Sequence, residues 1–78
     1  MDSNLAILTQ VASDVLERYD LELTPETTLA SVEKWDSVAL VKMLFLLEEQ
    51  LGVVFDTYDV ANIKEVGDVL AMMEKAQS

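Results

Sequence analysis

Leu5, Leu8, Ala12, Val15 and Leu16 recur at the three- and four-residue spacing of a helical face, with no strand-like alternation of apolar and polar positions. With Ser3 or Asn4 as a cap, the spacing predicts a first helix over Asn4 to Tyr19. The pattern then breaks across 20–36, where Thr24-Pro25-Glu26-Thr27 reads as a turn or the first step of a short helical turn. A connection this long is rarely left free in a small domain, so its apolar members Leu21, Leu23, Leu29 and Val32 are expected to pin it onto the helices. Val38 to Leu51 is the strongest helical run, closed by Gly52 in the position of a left-handed cap. Beyond a turn at Val53 to Phe55, Thr57 to Asn62 suits a short helix. Val66, Val69, Leu70 and Met73 predict a last one ending near Ala76, with Asn62 and Glu65 at the spacing of a capping-box variant. The expected fold class is all-α: a small four-helix bundle of three main helices plus one short helix, forming one domain over 1–78.

The second helix carries two apolar faces. At 100° per residue, Leu40, Leu44, Leu47 and Leu51 fall on one narrow stripe and are assigned to the core. Val38, Val41 and Phe45 fall on another sector together with Lys42, Glu48 and Glu49, and should be at least partly exposed. An apolar centre with a charged rim is what a partner-docking surface looks like, although a helix central to a small bundle would be covered on more than one side. Lys42 has no acidic residue four positions back and reads most simply as a solvated lysine.

Composition narrows the possible chemistry. Hydrophobic residues make up 51% of the 78, with two glycines and one proline, as expected of a globule rather than an acidic disordered tail. Fifteen acidic against five basic residues give a formal charge of −10, which disfavours nucleic acid and anionic membranes and favours basic protein patches. With neither cysteine nor histidine, the chain has no disulfide, no thiolate metal site and neither of the commonest nucleophiles and acid–base groups near neutral pH. Self-contained catalysis is therefore not expected. Asp56 and Asp59 lack the register of a calcium loop and read as surface or cap residues, while Met72 and Met73 read as core and edge fillers. The N-terminus has no basic stretch and the longest apolar run, Met43 to Leu47, is far too short to span a membrane, so a cytoplasmic protein is expected; size and charge suggest a monomer, with weak self-association through the apolar patch as the alternative.

Trp35-Asp36-Ser37-Val38 stands at the mouth of the second helix. A hydroxyl there lies beside unpaired backbone N–H groups and the positive end of the helix dipole, the setting that attracts a phosphate group. Ser37 is thus a candidate phosphorylated or phosphodiester-linked residue. On local sequence alone the commoner reading is an N-cap, serine being among the most frequent cap residues and a cap being enough to explain its presence.

Taken in order, Leu23-Thr24-Pro25-Glu26-Thr27 with Leu29, then Asp36-Ser37-Val38, then Leu47-Glu48-Glu49-Gln50-Leu51-Gly52-Val53, then Ile63 to Val69, the chain resembles the acyl carrier protein family over nearly its whole length. Asp36-Ser37-Val38 is similar to that family's Asp-Ser-Leu signature. The resemblance implies that Ser37 carries 4'-phosphopantetheine from coenzyme A, whose thiol holds an acyl intermediate as a thioester for fatty acid, polyketide or related biosynthesis. It implies a phosphopantetheinyl transferase and acyl-loading and acyl-transferring enzymes with basic docking patches as partners. Asp36 would support binding of the transferase or serve helix-terminus electrostatics alone, and Val38, Val41, Phe45, Glu48 and Glu49 would form the face those enzymes read. Ala39 and Lys42 stand where fatty-acid carriers often have acidic residues, Glu33-Lys34-Trp35 replaces the usual glycine-containing approach, and the glycine-rich signature of peptidyl carriers is missing. These departures point to a specialised discrete carrier. The alternatives are an unmodified interaction module of the same fold in which Ser37 only caps the helix, or an aminoacyl or peptidyl carrier. Trp35 is expected to pack over the loop rather than touch a partner.

Overall fold

The computed structural model describes residues 3–77. Among them lie α1 (Ser3–Leu16), a 3-10 turn (Leu29–Ser31), α2 (Ser37–Leu51), α3 (Thr57–Ala61) and α4 (Val66–Gln77), without a strand longer than one isolated bridge. The fold is all-α, as expected. No helix among the described residues is long and apolar enough to cross a membrane.

Helix α1 packs on α2 and α4, burying Leu8, Val11, Ala12 and Leu16. It stops three residues before the predicted Tyr19. Glu17 turns into the left-handed region at φ 56° and the Arg18 N–H donates to the Ser13 carbonyl at 3.0 Å, the bond of a Schellman ending. Apolar spacing gave no sign of that stop because Glu17 is not a glycine. Neither expected cap sits outside the helix: Ser3 and Asn4 are its first turn, and the Asn4 side-chain amide exchanges two hydrogen bonds of 3.1 Å with Gln77 at the end of α4.

The buried stripe of α2 is centred away from the expected line of leucines. Leu44 and Leu47 are buried, but Leu40 and Leu51 lie only half-buried at its edge, and Ala39 and Met43 complete it. Packing against α1 rotates the helix toward the Ala39–Met43 side. Gly52 ends α2 at φ 67°, ψ 38°, as its position promised, and its N–H donates to the Glu48 carbonyl. Met72 and Met73 are both buried, Asp56 caps α3 through the Tyr58 N–H at 2.8 Å, and Asp59 pairs with Lys75 at 3.1 Å.

The long loop is held as expected by Leu23 and Leu29, which are buried, and by Leu21 and Val32, which are half-buried against the same core. A second restraint was not legible. The backbone of 25–29 runs against the approach to α4: Leu29 N–H donates to the Lys64 carbonyl at 3.0 Å, Val66 N–H to the Thr27 carbonyl at 2.8 Å and Gly67 N–H to the Pro25 carbonyl at 2.8 Å. Gly67 permits this approach, since a Cβ there would stand 2.9 Å from the Pro25 carbonyl oxygen. The start of α4 is closed three residues later than the Asn62/Glu65 spacing suggested. Asp68 Oδ2 accepts from the Lys64 and Glu65 N–H groups, each at 2.9 Å, while the Asp68 N–H donates to the Glu65 carbonyl at 3.0 Å.

Gly67→Ala gains helix propensity but drives a methyl into a backbone carbonyl, so it should lower stability by about 1–2 kcal/mol, read as a fall in the urea midpoint; a midpoint raised by the substitution would show that the loop yields freely. The hydrogen bonds from Glu65 and then Lys64 hold the Asp68 carboxyl below the ordinary 3.8. Its contribution is therefore complete above that unfolded-state value and is lost as pH falls through the lower folded one. Asp68→Ala should cost about 1 kcal/mol at pH 7, the size of a capping interaction, and the gap from wild type should narrow in acid below pH 3.8.

Candidate functional site

The approach to α2 is a tight double turn. The Trp35 N–H donates to the Val32 carbonyl at 3.2 Å and the Asp36 N–H to the Lys34 carbonyl at 3.0 Å, with Lys34 between them at φ 71°. A turn that needs a left-handed residue normally takes glycine, so Lys34 holds a conformation that costs a side-chain-bearing residue energy. Trp35 meets that cost: it is only 7% exposed and belongs to the hydrophobic core, which anchors the turn. The packing expectation for Trp35 is met. Its Nε1 is the buried side-chain polar atom without a hydrogen-bond partner among the described residues, which marks the residue as chosen for its area rather than its donor.

The cap of α2 is Asp36, not Ser37. Asp36 has extended backbone at φ −100°, ψ −173°, and its Oδ1 accepts from the Ala39 N–H at 2.8 Å, while its carbonyl receives the Leu40 N–H at 3.0 Å. Two adjacent cap-forming side chains competed for one position. The residue with extended backbone took it, and Ser37 became the first helical residue. The Ser37 side chain is exposed and makes no hydrogen bond among the described residues, and the Ser37 and Val38 N–H groups likewise find no protein acceptor there. The result is a free hydroxyl beside two free N–H groups in the positive field of a fifteen-residue helix, an arrangement that stabilises an anion bonded to that oxygen.

Below Ser37 the predicted second face is open. Val38 is 63% exposed, Val41 56% and Phe45 71%, and Leu46, which the apolar pattern did not single out, is 42% exposed. This sector is therefore not covered by the bundle, as it would be if α2 lay central and covered on more than one side. Glu49 and Lys42 are exposed beside it, but Glu48 has another duty. It is half-buried, and its Oε2 accepts from the Phe55 N–H at 2.6 Å, tying the turn after α2 back onto the helix. Toward α1, a groove of 670 Å³ is lined by Val15, Lys42, Phe45, Leu46, Glu48 and Glu49, and a cleft of 410 Å³ at the Ser37 end is lined in part by Val15, Lys34, Asp36, Val38 and Lys42. Val15 was legible only as a core position of α1; that its half-buried side chain also floors a groove depends on where α1 crosses α2.

A model of the family described as the phosphopantetheine attachment site matches residues 6–73. The chain belongs to that family, that of the acyl carrier proteins. Meromycolate extension acyl carrier proteins of Mycolicibacterium aurum and Mycolicibacterium smegmatis are each 29% identical to it over 73 residues, covering 94% of this chain and 75% and 74% of theirs. The protein of the same name from Mycobacterium tuberculosis is 27% identical over 73 residues, which are 94% of this chain and 64% of that protein's length. The solution structure of the holo acyl carrier protein of Geobacter metallireducens superimposes with a TM-score of 0.86 at 26% identity, over 97% of this chain and 86% of that one. The covalent prosthetic group of this carrier is 4'-phosphopantetheine. The mouth of α2 fits such a group, since it offers an exposed, unbonded hydroxyl together with unsatisfied N–H donors for a phosphodiester.

The division of labour at the helix mouth is directly measurable. Asp36→Ala should cost about 1 kcal/mol in urea unfolding, whereas Ser37→Ala should change stability by less than about 0.5 kcal/mol because no bond is lost. Equal losses for the two variants would mean that the serine shares the cap.

Proposed function

We propose that Ser37 is the attachment residue and that the chain, as a single carrier domain over 1–78, presents an acyl or related carboxylic intermediate to pathway enzymes. The observation that carries this reading is the Ser37 hydroxyl, which is exposed and relieved of capping by Asp36. The arm supplies a thiol that the cysteine-free chain does not have. The protein's own part is to hold the hydroxyl outward at a fixed position and to keep the phosphodiester in the helix-terminal field. Asp36 acts by setting the start of α2, so its support of the arm is positional. Val38, Val41, Phe45 and Glu49 form the face that a phosphopantetheinyl transferase and acyl-transferring enzymes would read, while Glu48 shapes that face from behind.

The protein on this reading is a cytoplasmic monomer with no catalytic activity of its own, which agrees with the lack of histidine and cysteine. The charge of −10 would speed encounter with basic docking patches more than it tightens the complexes. Acyl rather than aminoacyl cargo is favoured by the names of the relatives. Lys42 and Ala39 on α2 favour a specialised pathway over housekeeping fatty acid synthesis. The unmodified-module alternative loses its main support, because its serine was to be the cap.

Intact-mass measurement after incubation with coenzyme A and a broad-specificity phosphopantetheinyl transferase tests the assignment. The wild type should gain one phosphopantetheine, and Ser37→Ala should gain none while keeping its urea midpoint. Modification of the alanine variant, or an unmodified wild type beside a carrier that the same transferase labels, would sink the reading.

A further inference from the structure

The 410 Å³ cleft at the Ser37 end and the 670 Å³ groove farther along α2 adjoin at Val15 and Lys42, and together they follow α2 from beside Ser37 to Glu49, roughly 18 Å along the helix axis. The charged groups of the first cleft are Glu17, Lys34, Asp36 and Lys42, two of each sign, so net charge does not decide what lies there. Neither lysine makes an ion pair among the described residues. What sets this path apart is where it begins. An arm joined to the Ser37 oxygen starts at its mouth, is of similar length when extended, and alternates methyl and methylene segments with two amides. The groove is matched to such a chain: Val15, Phe45 and Leu46 offer apolar surface, while Lys42 and Glu49 offer a donor and an acceptor for amides. Little affinity is needed, because a short flexible tether holds its end at an effective concentration on the order of millimolar.

Other positions suit the arm less well. The two clefts beside α3 and α4 hold 200 Å³ each and share the Asp59–Lys75 ion pair, and the centre of the bundle is taken up by Leu8, Met43, Leu47, Val66, Val69 and Met73, all fully buried. We infer that the α1–α2 groove is the resting seat of the phosphopantetheine arm, with the thiol end against Phe45 and Leu46 rather than inside the bundle or free in solvent. The inference rests on Ser37 as the attachment residue. It goes beyond that reading by giving Val15, Lys42, Phe45, Leu46 and Glu49 a role toward the arm itself, and it supplies a cover for the exposed Phe45 from within the same molecule.

Because the chain has no cysteine, a methanethiosulfonate nitroxide attaches only at the thiol of the arm. Intact mass establishes first that arm and label are present; a wild type that takes up no arm would defeat the attachment reading and this inference with it. In the labelled holo protein the amide signals of Val15, Leu46 and Glu49 should be lost to paramagnetic broadening and return when the nitroxide is reduced, whereas those of Asp59, Ala71 and Lys75 should persist. Phe45→Ser combined with Leu46→Ser should restore the Val15 and Glu49 signals in the oxidised sample while the urea midpoint stays close to that of wild type, since both side chains are exposed. Signals that stay lost in the double variant would overturn the seat. So would equal broadening at both sets of residues, the result of a freely swinging arm, or losses centred on Asp59, Ala71 and Lys75 or on Met43 and Leu47. The same losses in isotope-labelled apo protein mixed with spin-labelled holo protein would assign the groove to the arm of a second copy and overturn it as well.

Discussion

The hydrogen bond from the Ala39 N–H to the Asp36 carboxylate decides more about this molecule than its 2.8 Å suggests. It fixes the residue at which α2 begins, while packing against α1 sets which face of the helix turns inward. In the helix that starts at Ser37, Ala39, Met43 and Leu47 face inward and Val38, Val41 and Phe45 lie outside. It also satisfies the amide that a capping serine would have taken, which leaves the Ser37 hydroxyl available for chemistry. A neighbouring aspartate thus releases the serine from a structural duty and keeps negative charge at the positive end of the helix.

That bond is only as secure as the loop that delivers Asp36. Residues 20–36 have little regular structure beyond one 3-10 turn, yet they are held at both levels, by buried Leu23, Leu29 and Trp35 and by backbone bonds from 25–29 to the approach of α4. Gly67 lets the Pro25 carbonyl come close, and the reciprocal Asp68–Glu65 contacts stiffen the other side. The left-handed Lys34 is tolerated because Trp35 on one side and the capped helix on the other fix its surroundings. The mouth of α2 is therefore held by a packed and hydrogen-bonded frame although it lies at the end of a loop.

The surface follows a different logic from the site. Most of the fifteen acidic residues are solvated and act at a distance, setting the sign of the field. A few are committed: Glu48 to the Phe55 N–H, Asp56 to the Tyr58 N–H, Asp68 to Lys64 and Glu65. Reading the acidity as uniform conceals both the structural carboxylates and the unpaired lysines beside Ser37.

Helix number, order and most boundaries were legible because they depend on local periodicity and on punctuation such as Gly52, whose left-handed cap geometry needs no distant partner. The ordered motifs around Asp36-Ser37-Val38 made the family legible too, and the exposed sector of Val38, Val41 and Phe45 followed from helical geometry alone. Tertiary structure decided what adjacent residues of equal propensity left open. Backbone conformation at Asp36 chose the cap between two good candidates, and a left-handed Glu17 ended α1 where its apolar spacing ran on. The capping pair of α4 moved from Asn62 and Glu65 to Glu65 and Asp68 because the approach to that helix is bound to the loop at Thr27 and Leu29. Glu48 was drawn off the expected docking rim by a donor seven residues away, and Val15 and Lys42 came to line the same clefts only where α1 crosses α2. Some of these depend on contacts between segments distant in the chain and the others on the backbone turn at a single residue, and apolar periodicity carries no information about either.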